Sequence, residues 1–248
     1  MDSTLRKILI VAAVVFALAA PALQATLGFG LSPSEFSRQG DSTLRAAGYA
    51  FSIWSVIYAG FVVYAIYQAL PRNDGSPAIA NLALPSIVAI AGCGAWVLAS
   101  AFDARWVSVA IIALSAGVLT GGLVKALCHT EPASLSERLC LWWPLGLLAG
   151  WLTIATALDV LTVMTAEGLL TALPKAAAFS GIVAVLIAAL AVLRITSLAA
   201  YGVPIAWGLI AVWVAERATK SDVASLALCA AILVAAYAAW KMRPTQRT

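Results

Sequence analysis

The chain has 248 residues, 63% of them apolar and only 10% charged, and its mean hydropathy is +0.98. Soluble domains carry about a quarter charged residues, so this composition leaves too little polar surface for a water-facing globule and makes lipid the solvent. The formal charge of +4 comes from basic residues scattered through short loops and the two ends, which suits anionic headgroups and excludes a dense nucleic-acid footprint.

Apolar runs long enough to cross about 30 Å of hydrocarbon occur eight times and predict an all-α, polytopic transmembrane bundle. The first runs from Lys7 to Phe29. Arg6, Lys7 and the following apolar stretch up to Ala20-Pro21-Ala22 also fit a cleavable signal peptide, but the apolar character continues to Phe29 and favours a retained helix. A polar loop over residues 30–47 follows and is expected to lie across one mouth of the bundle.

The second span, Tyr49 to Leu70, ends at Pro71-Arg72-Asn73-Asp74-Gly75, where proline and glycine resist continuation. The third runs from Leu82 to Phe102 and the fourth from Trp106 to Leu127. Ser134-x-x-Glu137 has the form of a capping box opening the fifth span, Leu139 to Met164. Leu173-Pro174-Lys175 opens the sixth, Ala176 to Leu193, with proline where its missing N–H costs nothing. Leu198 to Ala215 and Val223 to Trp240 complete the set.

Eight spans place both ends on one side of the membrane. Arg6, Lys7, Arg72, Lys125, Arg138, Arg194, Lys241, Arg243 and Arg247 fall on that side, against Arg38, Arg45, Arg105, Lys175, Arg217 and Lys220 opposite. The bias predicts cytoplasmic termini.

Within the spans, Trp54 and Tyr58 are four apart and share a helical face. Asp159 is the one acidic side chain well inside a predicted span, where a carboxylate costs several kcal/mol unless it is paired, neutralised or facing a wet cavity. Reaching for the interface is the competing reading, but Trp151, Ala155 and Asp159 recur every four residues and so share a face, which favours a pocket. Trp106, Trp142, Trp143 and Trp240 lie near span ends and read as an aromatic belt, whereas Trp54, Trp96 and Trp151 sit beside small residues; Trp207 and Trp213 fit either reading. Gly146-x-x-x-Gly150 and Ala91-x-x-x-Ala95-x-x-x-Ala99 predict close helix packing and leave a homodimer open.

The enzyme inventory is thin. The lone His129, with Cys128, Glu131 and Cys140 near it, matches no standard zinc spacing. There is no GxGxxG, P-loop or GxSxG motif.

Three stretches carry a resemblance to the TspO/MBR family, the tryptophan-rich sensory proteins related to the mitochondrial translocator protein. Phe51-Ser52-Ile53-Trp54-x-x-Ile57-Tyr58 resembles the family's aromatic-x-x-Trp-x-x-Leu-Tyr at the start of helix two. Trp96 resembles the tryptophan of helix three, and Trp151-Leu-Thr-Ile-Ala155-Thr-Ala-Leu158-Asp159 resembles the Trp-x-x-Phe-Ala-x-x-Leu-Asn of helix five. The resemblance covers about residues 7–165, so it implies a five-helix core over residues 1–165 and three additional helices over residues 166–248, as in a long-form relative. It departs where Cys93 and Asp159 stand in for asparagines, where Pro144 is three residues out of register, and where Pro33 is alone in the first loop.

The resemblance implies a pocket beneath the first loop for a flat apolar ligand, whether tetrapyrrole, sterol-like or isoprenoid. It nominates Trp54, Tyr58, Trp96 and Trp151, with Asp159 as a substituted polar position. A bound porphyrin or lipid is the cofactor-like occupant it suggests, in a bacterial inner membrane, with surrounding lipids as the other partners. The expected function is sensor-like binding without turnover. The alternatives are a small-molecule transporter with Asp159 as its coupling residue, and a membrane enzyme or assembly factor for a pigment complex.

Overall fold

The computed structural model describes residues 2–127 and 134–242, and among these it is helical without strands. Its helices are α1 (Ser3–Leu27), α2 (Pro33–Arg38), α3 (Ile53–Ala69), α4 (Pro77–Ala101), α5 (Arg105–Leu127), α6 (Leu135–Glu137), α7 (Trp143–Ala166), α8 (Pro174–Thr196), α9 (Ala199–Glu216) and α10 (Ser221–Lys241). A 3-10 turn, Gly48–Ser52, leads into α3, and a π-helical turn, Arg138–Trp142, joins α6 to α7. Among the described residues, eight helices are long and apolar enough to cross a membrane. The group around His129, with Cys128 and Glu131, lies outside the described residues, as do Arg243 and Arg247.

Local chemistry sets the boundaries. Helix α4 begins ahead of the predicted Leu82 because Ser76 Oγ accepts from the Ile79 N–H and Pro77 occupies the first turn. The predicted box before the fifth span forms only in part. Ser134 Oγ accepts from the Glu137 N–H, but the Glu137 carboxylate accepts the indole N–H of Trp142 at 3.0 Å instead of closing back on Ser134. That bond also corrects the belt reading of Trp142, which is buried inside the bundle, while Trp106 and Trp240 are exposed as belt residues are. The π-helical turn lies directly before Pro144, which cannot donate to the preceding turn and would crowd its carbonyl in a regular helix.

Helix α7 is the central post, packed against α3, α5, α8 and α9; α4 packs on α1 and α5, and α10 on α8 and α9. Small residues make this possible. A Cβ on Gly150 would run into the Tyr201 carbonyl, and one on Gly146 would meet Leu198 and Ala200, so the Gly146/Gly150 stripe serves the α7–α9 contact within the chain. One continuous core runs from α1 to α10, across the turn that separates the first five spans from the last three. Large apolar side chains such as Val56, Ile66, Leu84, Ile187 and Ile232 cover the outside, where hydrocarbon is their natural solvent.

Contacts between loops define the two ends of the bundle. At one, Arg6 and Lys7 both meet Asp74, at 3.6 and 2.6 Å, and Lys241 donates to the Arg194 carbonyl. At the other, residues 28–52 form a lid. Gly28 and Gly30, both with φ of 63°, turn the chain back on itself, and the Leu31 N–H donates to the Ala101 carbonyl. A side chain on Gly30 would collide with that carbonyl, so the conformation and the close approach both call for glycine. Helix α2 then forms on a complete capping box between Ser32 and Glu35.

Candidate functional site

The 3-10 turn Gly48–Ser52 sets the rotation of α3, which presents Trp54 and Tyr58 on one face with their rings stacked at 5.2 Å and 28°. Across from them, α7 presents Trp151, whose ring meets Trp54 edge-on at 6.1 Å and 82°. Helix α4 contributes Cys93 and Trp96, and the lid contributes Phe36, which is buried and meets Trp96 edge-on at 6.2 Å and 86°. Offset and edge-to-face pairs of this kind are the preferred aromatic geometries.

Trp54, Trp151, Cys93, Trp96 and Phe36 line a cavity of about 50 Å³, together with Phe51, Ser115, Ala155, Asp159 and Thr162. Of the residues expected at a ligand site, Trp54, Trp96, Trp151 and Asp159 therefore line one chamber. Tyr58 does not line it and instead backs the Trp54 ring from one turn further along α3.

Asp159 is 5% exposed and reaches no interface. Its Oδ2 accepts from Ser108 Oγ of α5 at 3.0 Å, and Ser108 also reaches its own helix at the Arg105 carbonyl. The Trp96 indole N–H lies beside the carboxylate without attaining hydrogen-bond geometry, and it is buried with no other acceptor. The chamber is thus an aromatic box with a carboxylate and an uncommitted N–H donor in its wall. A flat body could stack between the indoles while a polar edge meets Asp159 and Trp96. The free volume is smaller than a tetrapyrrole, so a ligand of that size requires Phe36 to part from Trp96.

The expected loop over the mouth is present, and what the sequence did not reveal is its short helix carrying Phe36 and the last three helices' hold on it. Phe36 closes the chamber from a helix whose signal was present in Ser32-Pro33-x-Glu35, an N-cap, a first-turn proline and a capping glutamate. The lid is held from both flanks. Gln39 donates to Asp103 at 3.0 Å, and Gly40 lies tight against Thr162. On the α9 side, the Arg45 N–H donates to Glu216 at 2.9 Å, the Arg45 guanidinium to the Ala215 carbonyl, and the Ala47 N–H to the Ala211 carbonyl. Lys220 Nζ donates to the carbonyls of Asp41 and Thr43 and pairs with Glu216, which is only 1% exposed. Trp207 donates to the Ala50 carbonyl and so fixes the turn that orients Trp54.

Eight apolar spans enclosing a lidded aromatic chamber define a polytopic helical membrane protein built around an internal pocket. The family model for TSPO-like proteins matches residues 7–240, which takes in all eight spans. The chain belongs to the TSPO-like protein family. Comparisons with curated proteins and with solved structures returned no match to it.

Proposed function

We propose that this integral membrane protein binds a flat apolar molecule, a tetrapyrrole, sterol-like or isoprenoid lipid, in the chamber beneath the lid, and acts as a sensor without turning its ligand over. The observation that carries this reading is the convergence of Trp54, Trp96 and Trp151, from three different helices, on one cavity with Asp159 in its wall. The membrane is the bacterial inner membrane, with both termini cytoplasmic. That orientation rests on the excess of Lys and Arg on the side opposite the lid.

The test is titration of purified protein with a porphyrin, followed by tryptophan fluorescence. Saturable quenching is expected, and Trp151→Ala should weaken it about tenfold, the loss of one stacking partner and its buried area. Saturable binding indifferent to Trp54→Ala, Trp96→Ala and Trp151→Ala alike would remove the ligand from this chamber.

A second reading is transport, favoured by one observation: Asp159 is an intramembrane carboxylate whose hydrogen bond among the described residues comes from Ser108, a neutral donor, and a carboxylate with no cation to pair with suits a proton-coupled group. Flux into proteoliposomes that disappears in Asp159→Asn would support it. Binding without flux would leave the sensor reading standing.

A further inference from the structure

Outside the aromatic chamber lies a second cavity of about 550 Å³, between the lid and the end of α9. The two cavities share Ser37, Ala46 and Phe51 as lining residues, so they back onto one another across the lid's inner turn. Their linings differ sharply in character. The outer vestibule is lined by Arg38, Arg45 and Arg217, with Asp41 as its single acidic residue.

Two of the three arginines have a carboxylate neighbour, each at long range, and the third has none. Arg45 is 3.9 Å from Asp41 and also holds the Ala215 carbonyl. Arg38 lies 3.8 Å from Glu35 and is largely exposed. Arg217 stands over the Trp213 ring at 5.2 Å, with no carboxylate in ion-pair range among the described residues. Lys220, next to the vestibule, is spent on Glu216 and the lid carbonyls. The vestibule lining therefore carries a positive surplus at the mouth of a mostly apolar chamber whose carboxylate, Asp159, lies deeper in the wall, and a cleft lined by one sign of charge concentrates the opposite ion.

We propose that the vestibule receives the anionic end of the molecule whose apolar body occupies the chamber, so that the ligand class is an acidic amphiphile, a flat apolar body bearing a carboxylate or phosphate. Guanidinium groups suit both acids through paired N–H donors. This rests on the reading of the chamber as a ligand site and adds to it the polarity and orientation of the ligand, acid outermost and apolar body inward. An anionic lipid headgroup offers the vestibule the same chemistry, and the choice of lipid separates the two sources.

The experiment uses full-length protein in zwitterionic nanodiscs, titrated with 1-pyrenebutyrate and with its methyl ester, and reads energy transfer from tryptophan to pyrene. The acid should bind about tenfold tighter than the ester, the magnitude of one charge-assisted contact. Arg38→Gln with Arg217→Gln should erase that preference while leaving the ester's affinity unchanged. Both arginines are exposed and bind no lid carbonyl, so the fold survives their loss; Arg45 is left alone because it ties the lid to α9. Added salt should weaken the acid alone.

Equal binding of acid and ester, or a preference that outlives the double substitution, overturns the proposal and leaves the chamber reading intact. Transfer from neither probe overturns the chamber reading itself. If the acid's preference vanishes in discs containing an anionic phospholipid, a headgroup holds the vestibule and the assignment to the ligand fails.

Discussion

At the scale of single residues, Asp159 and Ser108 form the most exacting pair in the molecule. Removing the hydroxyl leaves a buried carboxylate with no donor in hydrogen-bond geometry. Ser108→Ala should therefore lower stability by about 1–3 kcal/mol, measured as thermal unfolding in detergent. Asp159→Asn keeps an acceptor for Ser108 and abolishes the cost of burying a charge, so its melting temperature should equal or exceed that of the wild type. In the Asp159→Asn background the Ser108→Ala penalty should shrink, a coupling that a double-mutant cycle reads directly. The position of Asp159 was legible in the sequence, because a carboxylate on the same helical face as Trp151 has few reasons to be there. Its partner was not, since serines are common in membrane helices and nothing local distinguishes Ser108. Glu216 was missed for a different reason: it stands one residue past the seventh apolar run, where a carboxylate ordinarily meets water, yet it is buried by a loop from the other end of the chain.

At the scale of elements, the eight spans were legible because hydrophobic length is a local property, and so was the place of the polar loop over residues 30–47 across one mouth of the bundle. What fastens that loop was not legible, because its contacts with α4, α7 and α9 join residues far apart in sequence. The 3-10 turn before α3 depends on a donor from another helix, so Trp207→Phe, which keeps the ring and deletes the N–H, should cost about 1 kcal/mol and speed amide exchange over residues 48–52. On the opposite flank of the lid, desolvation works against the Asp103 carboxylate. The hydrogen bonds from Gln39 and Arg105 and the Arg105 charge outweigh it and hold its pKa below the ordinary 3.8. A carboxyl held down in this way stabilises the fold above its unfolded pKa and loses that contribution as the pH falls through the folded value. The melting temperature of the wild type should therefore converge on that of Asp103→Asn as the pH falls below about 5 and on through the depressed folded value. Packing of α7 on α9 is the least forgiving contact. Gly150→Ala should cost about 1–3 kcal/mol through overpacking against the Tyr201 carbonyl.

At the scale of the whole molecule, the resemblance read from about residues 7–165 extends as a family match to residue 240, and the last three helices share the core of the first five. Their role was illegible because it consists of contacts between residues some 170 positions apart, such as Arg45 with Glu216. Glu216→Ala leaves the Arg45 N–H without its acceptor and Lys220 with only the Asp41 and Thr43 carbonyls, a loss of about 1–3 kcal/mol. Limited proteolysis should then cut between residues 38 and 47 well before it cuts the wild type. The same long separation has a meaning for biogenesis. The lid leaves the ribosome 171 residues before the carboxylate that clasps it, which at about 5–20 residues per second is a delay of roughly 10–30 s. The first helices can enter the bilayer during that interval, and once α7 has completed the chamber a ligand present in the membrane can take its seat before α9 arrives to fasten the cover.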